Sequence, residues 1–248
     1  MKKLITLFAI AGMVLALAPT AQAISWDGGG GDGLWSTAAN WSPDTTIAGY
    51  AGDLTGGTIT HSSETTAVGI IKVRSTSQLI VSGGSLTATG ITLDKNAGNL
   101  LEVSGGTLIV TGLLGASVGD DSPFTVRQTG SVGSMSMGTL GIRTAANATL
   151  DLVMDASGIS ALTLDNANTT KNFGNLTIDT SAYTGPGGAI TIMNIGDGTG
   201  TQAAFASVLV DGLGTGFTIA YDGGDGNDVV LTLPGGSTPV PGTLIYGK

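Results

Sequence analysis

The chain has 248 residues, 42 of them glycine and none cysteine, with 9 basic against 18 acidic side chains and a net charge of −9. Only 11 % of residues are charged and 41 % are hydrophobic, which excludes a solvated disordered tail, since that needs high charge and low hydropathy. The lack of cysteine excludes disulfide staples, thiol nucleophiles and thiolate metal sites, and the acidic balance argues against nucleic acid or an anionic membrane surface as partner.

Residues 1–23 read as a secretory signal peptide. Lys2 and Lys3 form a basic start, and Leu4 to Leu17 form an apolar stretch too short for a comfortable membrane span. Ala21-Gln22-Ala23 is a small-residue cleavage site. Cleavage after Ala23 removes both lysines and leaves 7 basic and 18 acidic residues, a mature charge of −11 with no membrane span. A secreted or cell-surface location is expected.

All three tryptophans, Trp26, Trp35 and Trp41, follow within a glycine-rich stretch. Indoles in an otherwise aromatic-poor chain suit a plug over the end of a repetitive stack, residues 24–50, because such an end exposes apolar cross-section and a bare strand edge. The competing reading is a platform on which sugar rings stack.

The middle of the chain repeats itself. Val81-Ser82-Gly83-Gly84-Ser85-Leu86 returns, changed at one position, as Val103-Ser104-Gly105-Gly106-Thr107-Leu108. Gly56-Gly57-Thr58-Ile59 and Thr129-Gly130-Ser131-Val132 are looser copies. Short strands joined by glycine corners that recur in this way are the mark of a solenoid, in which one unit cannot bury its apolar face and stacked units can. The corner glycines are expected to supply positive φ. Alternation such as Ile91-Thr92-Leu93-Asp94 and Leu150-Asp151-Leu152 puts Leu, Ile and Val inside and Thr and Asp outside. No stretch of the mature chain has a sustained helical period.

In the last third, Leu162-Thr163-Leu164 and Leu176-Thr177-Ile178 stand closer together than the two clear copies do. Phe217–Tyr221 and Val229–Leu233 flank a Gly/Asp-rich turn and read as a hairpin. Smaller rungs and a terminal antiparallel cap both fit this part. Residues 234–248 form a Pro/Gly-rich tail.

Four features together resemble the autotransporter-passenger-like or PEP-CTERM-type secreted β-solenoid proteins of Gram-negative bacteria, of the planctomycete or verrucomicrobial kind. They are the Trp26…Trp35…Asn40-Trp41-Ser42 opening, the paired Val-Ser-Gly-Gly-Ser/Thr-Leu rungs, Phe124-Thr125-Val126-Arg127-Gln128-Thr129-Gly130, and the Gly226-Asn227-Asp228-Val229-Val230-Leu231 close. The resemblance implies a right-handed parallel β-helix at, or shed from, the cell surface, with adhesion or matrix roles. The end from Pro239 to Lys248 departs from it: there is no Pro-Glu-Pro, apolar span or arginine cluster, and no run of barrel strands. Release of the protein, or truncation of the chain, is the expectation.

Candidate chemistry is sparse. Gly223-Gly224-Asp225-Gly226-Asn227-Asp228-Val229-Val230-Leu231 matches one copy of a calcium-binding nonapeptide, with Asp228 the first side-chain ligand and Asp225 the next. Such sites form between tandem copies, so a plain glycine-rich turn is the favoured reading. A polysaccharide lyase or hydrolase needs a groove with clustered carboxylates, or an Asp-bound calcium with a Lys/Arg base; Lys72 and Arg74 share one face of a strand and would sit beside Arg127 or Lys95 if rungs align, but solvent-facing charge is the plainer account. Asp120-Asp121 pairs carboxylates within a loop, and His61 is the only histidine, beside Ser62, Ser63 and Glu64. Neither makes a catalytic set on its own.

The expected fold is therefore all-β: one domain over residues 24–233, a single-stranded right-handed parallel β-helix with a Trp-rich N-terminal cap and a C-terminal antiparallel closing hairpin. Roughly ten rungs at ~4.8 Å would make a rod near ~50 Å. The expected function is a secreted or surface structural, adhesin-like protein without catalytic activity or cofactor, whose partners are cell-surface or matrix polysaccharide or other surface proteins. The alternatives are an extracellular polysaccharide-binding or polysaccharide-degrading protein and a calcium-ordered exoprotein.

Overall fold

In the computed structural model, the alternating segments form strands that stack on the equivalent strand of the next turn rather than folding back on their neighbours. The structure describes residues 24–45, 52–94, 98–116, 123–141, 148–165, 174–196, 205–212, 216–224, 226 and 228–235. The expected signal peptide with Ala23, and residues 236–248 of the expected tail, lie outside them.

The cap strands are β1 (Ile24–Trp26) and β2 (Trp41–Ser42). The turns follow as β3 (Gly52–Thr55), β4 (Thr58–His61), β5 (Thr65–Arg74), β6 (Gln78–Val81), β7 (Ser85–Leu93) and β8 (Asn99–Val103). They continue as β9 (Thr107–Ala116), β10 (Phe124–Thr129), β11 (Ser134–Gly141), β12 (Thr149–Val153), β13 (Leu162–Leu164) and β14 (Asn175–Asp179). The chain then runs through β15 (Gly188–Ile195), β16 (Ser207–Asp211), β17 (Thr218–Gly223) and β18 (Asp228–Leu233). Among the described residues the one helical element is a 3-10 turn, Ala38–Asn40.

Successive strands alternate between two sheets. One has seven parallel strands in the order β16-β14-β12-β10-β8-β6-β4; the other has eleven, in the order β17-β18-β15-β13-β11-β9-β7-β5-β3-β1-β2. This is a β-solenoid. The Val-Ser-Gly-Gly echo is the rung repeat: Val81 pairs with Val103 in the smaller sheet and Ser85 with Thr107 in the larger. Seven strands span about 29 Å at ~4.8 Å each, shorter than the ten-rung rod expected. Later turns consume more chain: Thr58 stacks on Gln78, but Asn175 stacks on Ser207.

Registered stacking builds aliphatic columns inside. Ile59, Leu79, Leu101, Val126, Leu150 and Leu176 occupy one register line of the smaller sheet, and all six are fully buried. In β7 and β9 of the larger sheet the period-two burial resets in mid-strand, at Gly90 and Gly112, where the pairing of these strands also shifts register. Each such strand thus turns two segments inward, one on either side of the irregularity.

The corner glycines meet the expectation of positive φ at Gly56, Gly57, Gly84 and Gly130, and have a different reason at three others. Gly84 has φ +65°, but Gly83, Gly105 and Gly106 do not adopt positive φ. A Cβ on Gly83 would overlap the Ser62 carbonyl oxygen, and one on Gly106 would stand 2.6 Å from that of Gly83. These glycines let one corner rest on the backbone of the rung before it.

Both ends of the larger sheet are closed. β1 is parallel to β3 and antiparallel to β2, while Trp35 N–H donates to the Thr60 carbonyl (2.9 Å) and Thr60 N–H to that of Gly33 (2.8 Å). The N-terminal segment therefore covers the first strand of both sheets. At the far end β13–β16 continue the parallel turns, and then β18 pairs antiparallel with β15 and β17 with β18. Both readings of the last third are realised: rungs first, then the closing hairpin. Antiparallel pairing at that point stops further parallel stacking on this sheet.

Candidate functional site

The strands offer functional groups on outward positions, which register lines up across rungs. On the smaller sheet one outward column runs Ile80, Glu102, Arg127, Asp151, Thr177 and Leu209. Arg127 bridges its neighbours: Nε lies 2.7 Å from Asp151 Oδ2 and Nη1 3.6 Å from Glu102 Oε2. Thr177 Oγ1 donates to Asp151 Oδ1 at 2.6 Å. Burial disfavours the guanidinium charge, yet the hydrogen bond and charge of Asp151, with Glu102 beyond, outweigh it and hold Arg127 above its ordinary value.

A second ladder runs on the larger sheet. Arg74 reaches Asp94 (Nε to Oδ2, 3.0 Å) and Asp53 (Nη1 to Oδ2, 3.4 Å). Lys72 is half-buried on the same strand, in register with Asp53. Lys72 and Arg74 thus do not meet Arg127, which is on the other sheet, and Lys95 lies outside the described residues. The two arginines tie rungs together along the strand edges.

A third outward strip covers the first segments of β5, β7, β9 and β11 and continues onto β13 and β15. One column is hydroxyl throughout: Thr65, Ser85, Thr107 and Ser134. Ser134 Oγ donates to Thr107 Oγ1 at 3.2 Å. The next column runs Ala67, Thr87, Ile109, Ser136, Thr163 and Asn194. All ten positions are exposed or half-buried, and none is charged.

The tryptophans form the plug rather than a stacking platform. Trp26, Trp35 and Trp41 are 5 %, 2 % and 0 % exposed, so no indole face is open to a sugar. Trp26 and Trp35 each meet Trp41 edge to face, at centroid distances of 5.0 and 4.9 Å, and Trp41 Nε1–H donates to the Trp35 carbonyl. Asp32 holds the glycine-rich loop in place: it accepts from Thr37 Oγ1 (2.6 Å), Leu34 N–H (3.0 Å) and Asn40 Nδ2 (2.6 Å), which lower its pKa.

His61 points inward, fully buried, with its ring 6.0 Å from that of Trp35. Nδ1 lies 3.1 Å from the Gly83 carbonyl, which can only accept, so Nδ1 is a donor; Nε2 faces Thr66 Oγ1 at 3.3 Å. Glu64 Oε1 is 3.8 Å from Nε2. Burial pushes the Glu64 carboxyl up, but the Ser63 and Glu64 backbone N–H groups and the nearby His61 bring it below its ordinary value. This is a packed corner of the rung, not an accessible triad.

At the closing hairpin, Asp228 is buried and its Oδ1 accepts the Ile195 N–H at 3.0 Å. Its Oδ2 occupies the space a Cβ on Gly224 would need. The carboxylate ties β18 to β15. Asp225 lies outside the described residues, as do Asp120 and Asp121. Among the described residues no group of three or more His, Cys, Asp or Glu is placed to hold a metal ion. No described helix is long and apolar enough to cross a membrane.

The ladders and the uncharged strip were not visible in the sequence. The steps from Glu102 to Arg127 and from Arg127 to Asp151 are both longer than the step from Val81 to Val103 in the clear repeat. Compared with known proteins, the chain matches no family model, no curated protein and no solved structure.

Proposed function

We propose that the chain is a structural, adhesin-like solenoid of the cell surface or extracellular matrix, acting through repeated outward columns and not through a catalytic cleft. The observation that carries this reading is the placement of the arginines. Arg74, a candidate base for polysaccharide cleavage, and Arg127, the cation that aligned rungs would have set beside it, belong to different sheets, and each is ion-paired to acids on adjoining turns. Carboxylates so held serve rung-to-rung cohesion. The leader-like residues 1–23 support export. A stack with long regular sides suits many weak contacts in parallel, which add up through multivalency.

The test is fractionation of the producing cell combined with a depolymerisation assay. Recovery at the cell surface, in matrix or in medium, with no release of reducing ends from polysaccharides, is the expected result. Retention in the cytoplasm, or depolymerisation that is lost in Arg74→Ala, overturns it.

A further inference from the structure

The outward positions are sorted by charge. Asp53, Lys72, Arg74 and Asp94 follow the second segments of the larger sheet, and Glu102, Arg127 and Asp151 follow the smaller sheet. The ten strip positions from Thr65 to Asn194 bear none, and the exposed Asp165, two residues past Thr163, stands at the border of the strip. Glu64, just before Thr65, turns its carboxylate back to the Ser63 N–H. One border of the strip is an apolar ridge. Ile70 and Leu113 are 45 % and 38 % exposed on the rungs either side of Gly90, whose missing side chain leaves Ile70 Cγ1 and the Leu113 carbonyl as neighbours. Large exposed apolar side chains beside a hydroxyl column, with no charge on the ten positions themselves, make an amphipathic plane.

We infer that this strip docks an extended, uncharged polysaccharide. The inference rests on the surface-protein reading above and deepens it by naming the partner and the side it occupies. A sugar chain presents hydroxyls at its edges and C–H groups on its faces. The Ser/Thr column donates to and accepts from the former, and the Thr87 methyl, Ala67, Ile109 and the Ile70–Leu113 ridge cover the latter. Rungs recur every ~4.8 Å, close to the length of one sugar unit in an extended chain, so contacts repeat in step. Charge decides the class. A neutral polymer laid over the arginine ladders would desolvate ions without pairing them, whereas here it desolvates only hydroxyls that it satisfies. An anionic polymer finds no cation on the strip.

The test uses the purified mature chain with cellulose, β-1,3-glucan and galactomannan as uncharged probes and alginate as the anionic one. Retention is measured by sedimentation or by affinity gels. At least one uncharged polymer retains the protein better than alginate does. Thr87→Glu with Ser136→Glu weakens that retention by about tenfold, since a charge is desolvated unpaired. Thr125→Glu with Thr149→Glu, outward on the smaller sheet, leaves it unchanged. Circular dichroism checks folding, and Thr87→Val with Thr163→Val gives a milder version that keeps strand-forming shape and must also weaken binding. Retention by alginate alone, by no probe, or equally by parent and strip variants overturns the inference; so does equal loss in the smaller-sheet variant. Failure of this kind in a protein that fractionates to the surface removes the polysaccharide and leaves the structural role standing.

Discussion

Gly83 lies so close to Ser62 that a Cβ on it would overlap the Ser62 carbonyl oxygen. The neighbour is backbone, so no rotamer change relieves the overlap. Gly83→Ala is expected to destabilise the fold by about 3 kcal/mol, at the upper end of overpacking costs. Gly235→Ala, with open space around it, leaves stability nearly unchanged. Urea unfolding of the two variants checks the difference, and equal midpoints would show that the corners do not stack as described.

Leu100 and Leu101 are adjacent yet face opposite ways, Leu101 into the column of the smaller sheet and Leu100 outward and half-buried. Leu101→Ala removes a fully buried side chain and should cost about 2–5 kcal/mol. Leu100→Ala should cost much less. The same unfolding measurement reads both, and a reversed order contradicts the register.

The Arg127–Asp151 pair lies at a partly exposed position, with side chains 36 % and 17 % accessible. Solvent screening limits its value, so a double-mutant cycle with Arg127→Met and Asp151→Asn should give a coupling of about 0.5–1 kcal/mol. The coupling should shrink at high salt. A coupling of zero at low salt would mean that the ladder is incidental.

The tryptophan plug makes a spectroscopic prediction. Emission should be that of buried indoles, resistant to iodide, and unaltered by added polysaccharide even where binding occurs on the uncharged strip. Trp41→Ala should cost about 3–5 kcal/mol. Quenching of the emission by a sugar ligand would restore the stacking-platform reading that burial argues against.

Acid should loosen two loops. Asp32, hydrogen-bonded foremost by Thr37, and Asp155, hydrogen-bonded by the Ser131 N–H and Oγ, both have carboxyl pKa values below the ordinary one. A pKa lowered by folding contributes stability above the unfolded value, near ~4, and loses it as pH falls through the folded value. Melting temperature should therefore drop below about pH 4, and Asp155→Asn should lower it at neutral pH but not in strong acid, near ~2. An Asp155→Asn deficit that is equal at both pH values would place its cause elsewhere.

What is local or periodic in this protein was legible in the linear chain. Alternation such as Leu150-Asp151-Leu152 decides which side of a strand is buried, because side chains point to opposite sides at period two. The all-β class, the solenoid, the inward columns and the closing hairpin around Asp228 all follow from such patterns. Which outward residues meet was settled by the stacked fold alone. The steps between rungs are unequal, short from Thr58 to Gln78 and much longer from Asn175 to Ser207, since loops of different length are inserted between strands that must still pair in register. A residue's neighbour across the rung is thus non-local, and no fixed period reveals it. That is why a meeting of Lys72 and Arg74 with Arg127 could be raised from the sequence only on the condition that rungs align, and why the enclosure of His61 by Gly83, Thr66 and Trp35 could not be read there at all. The partners of these side chains exist only once the coils are laid one on another.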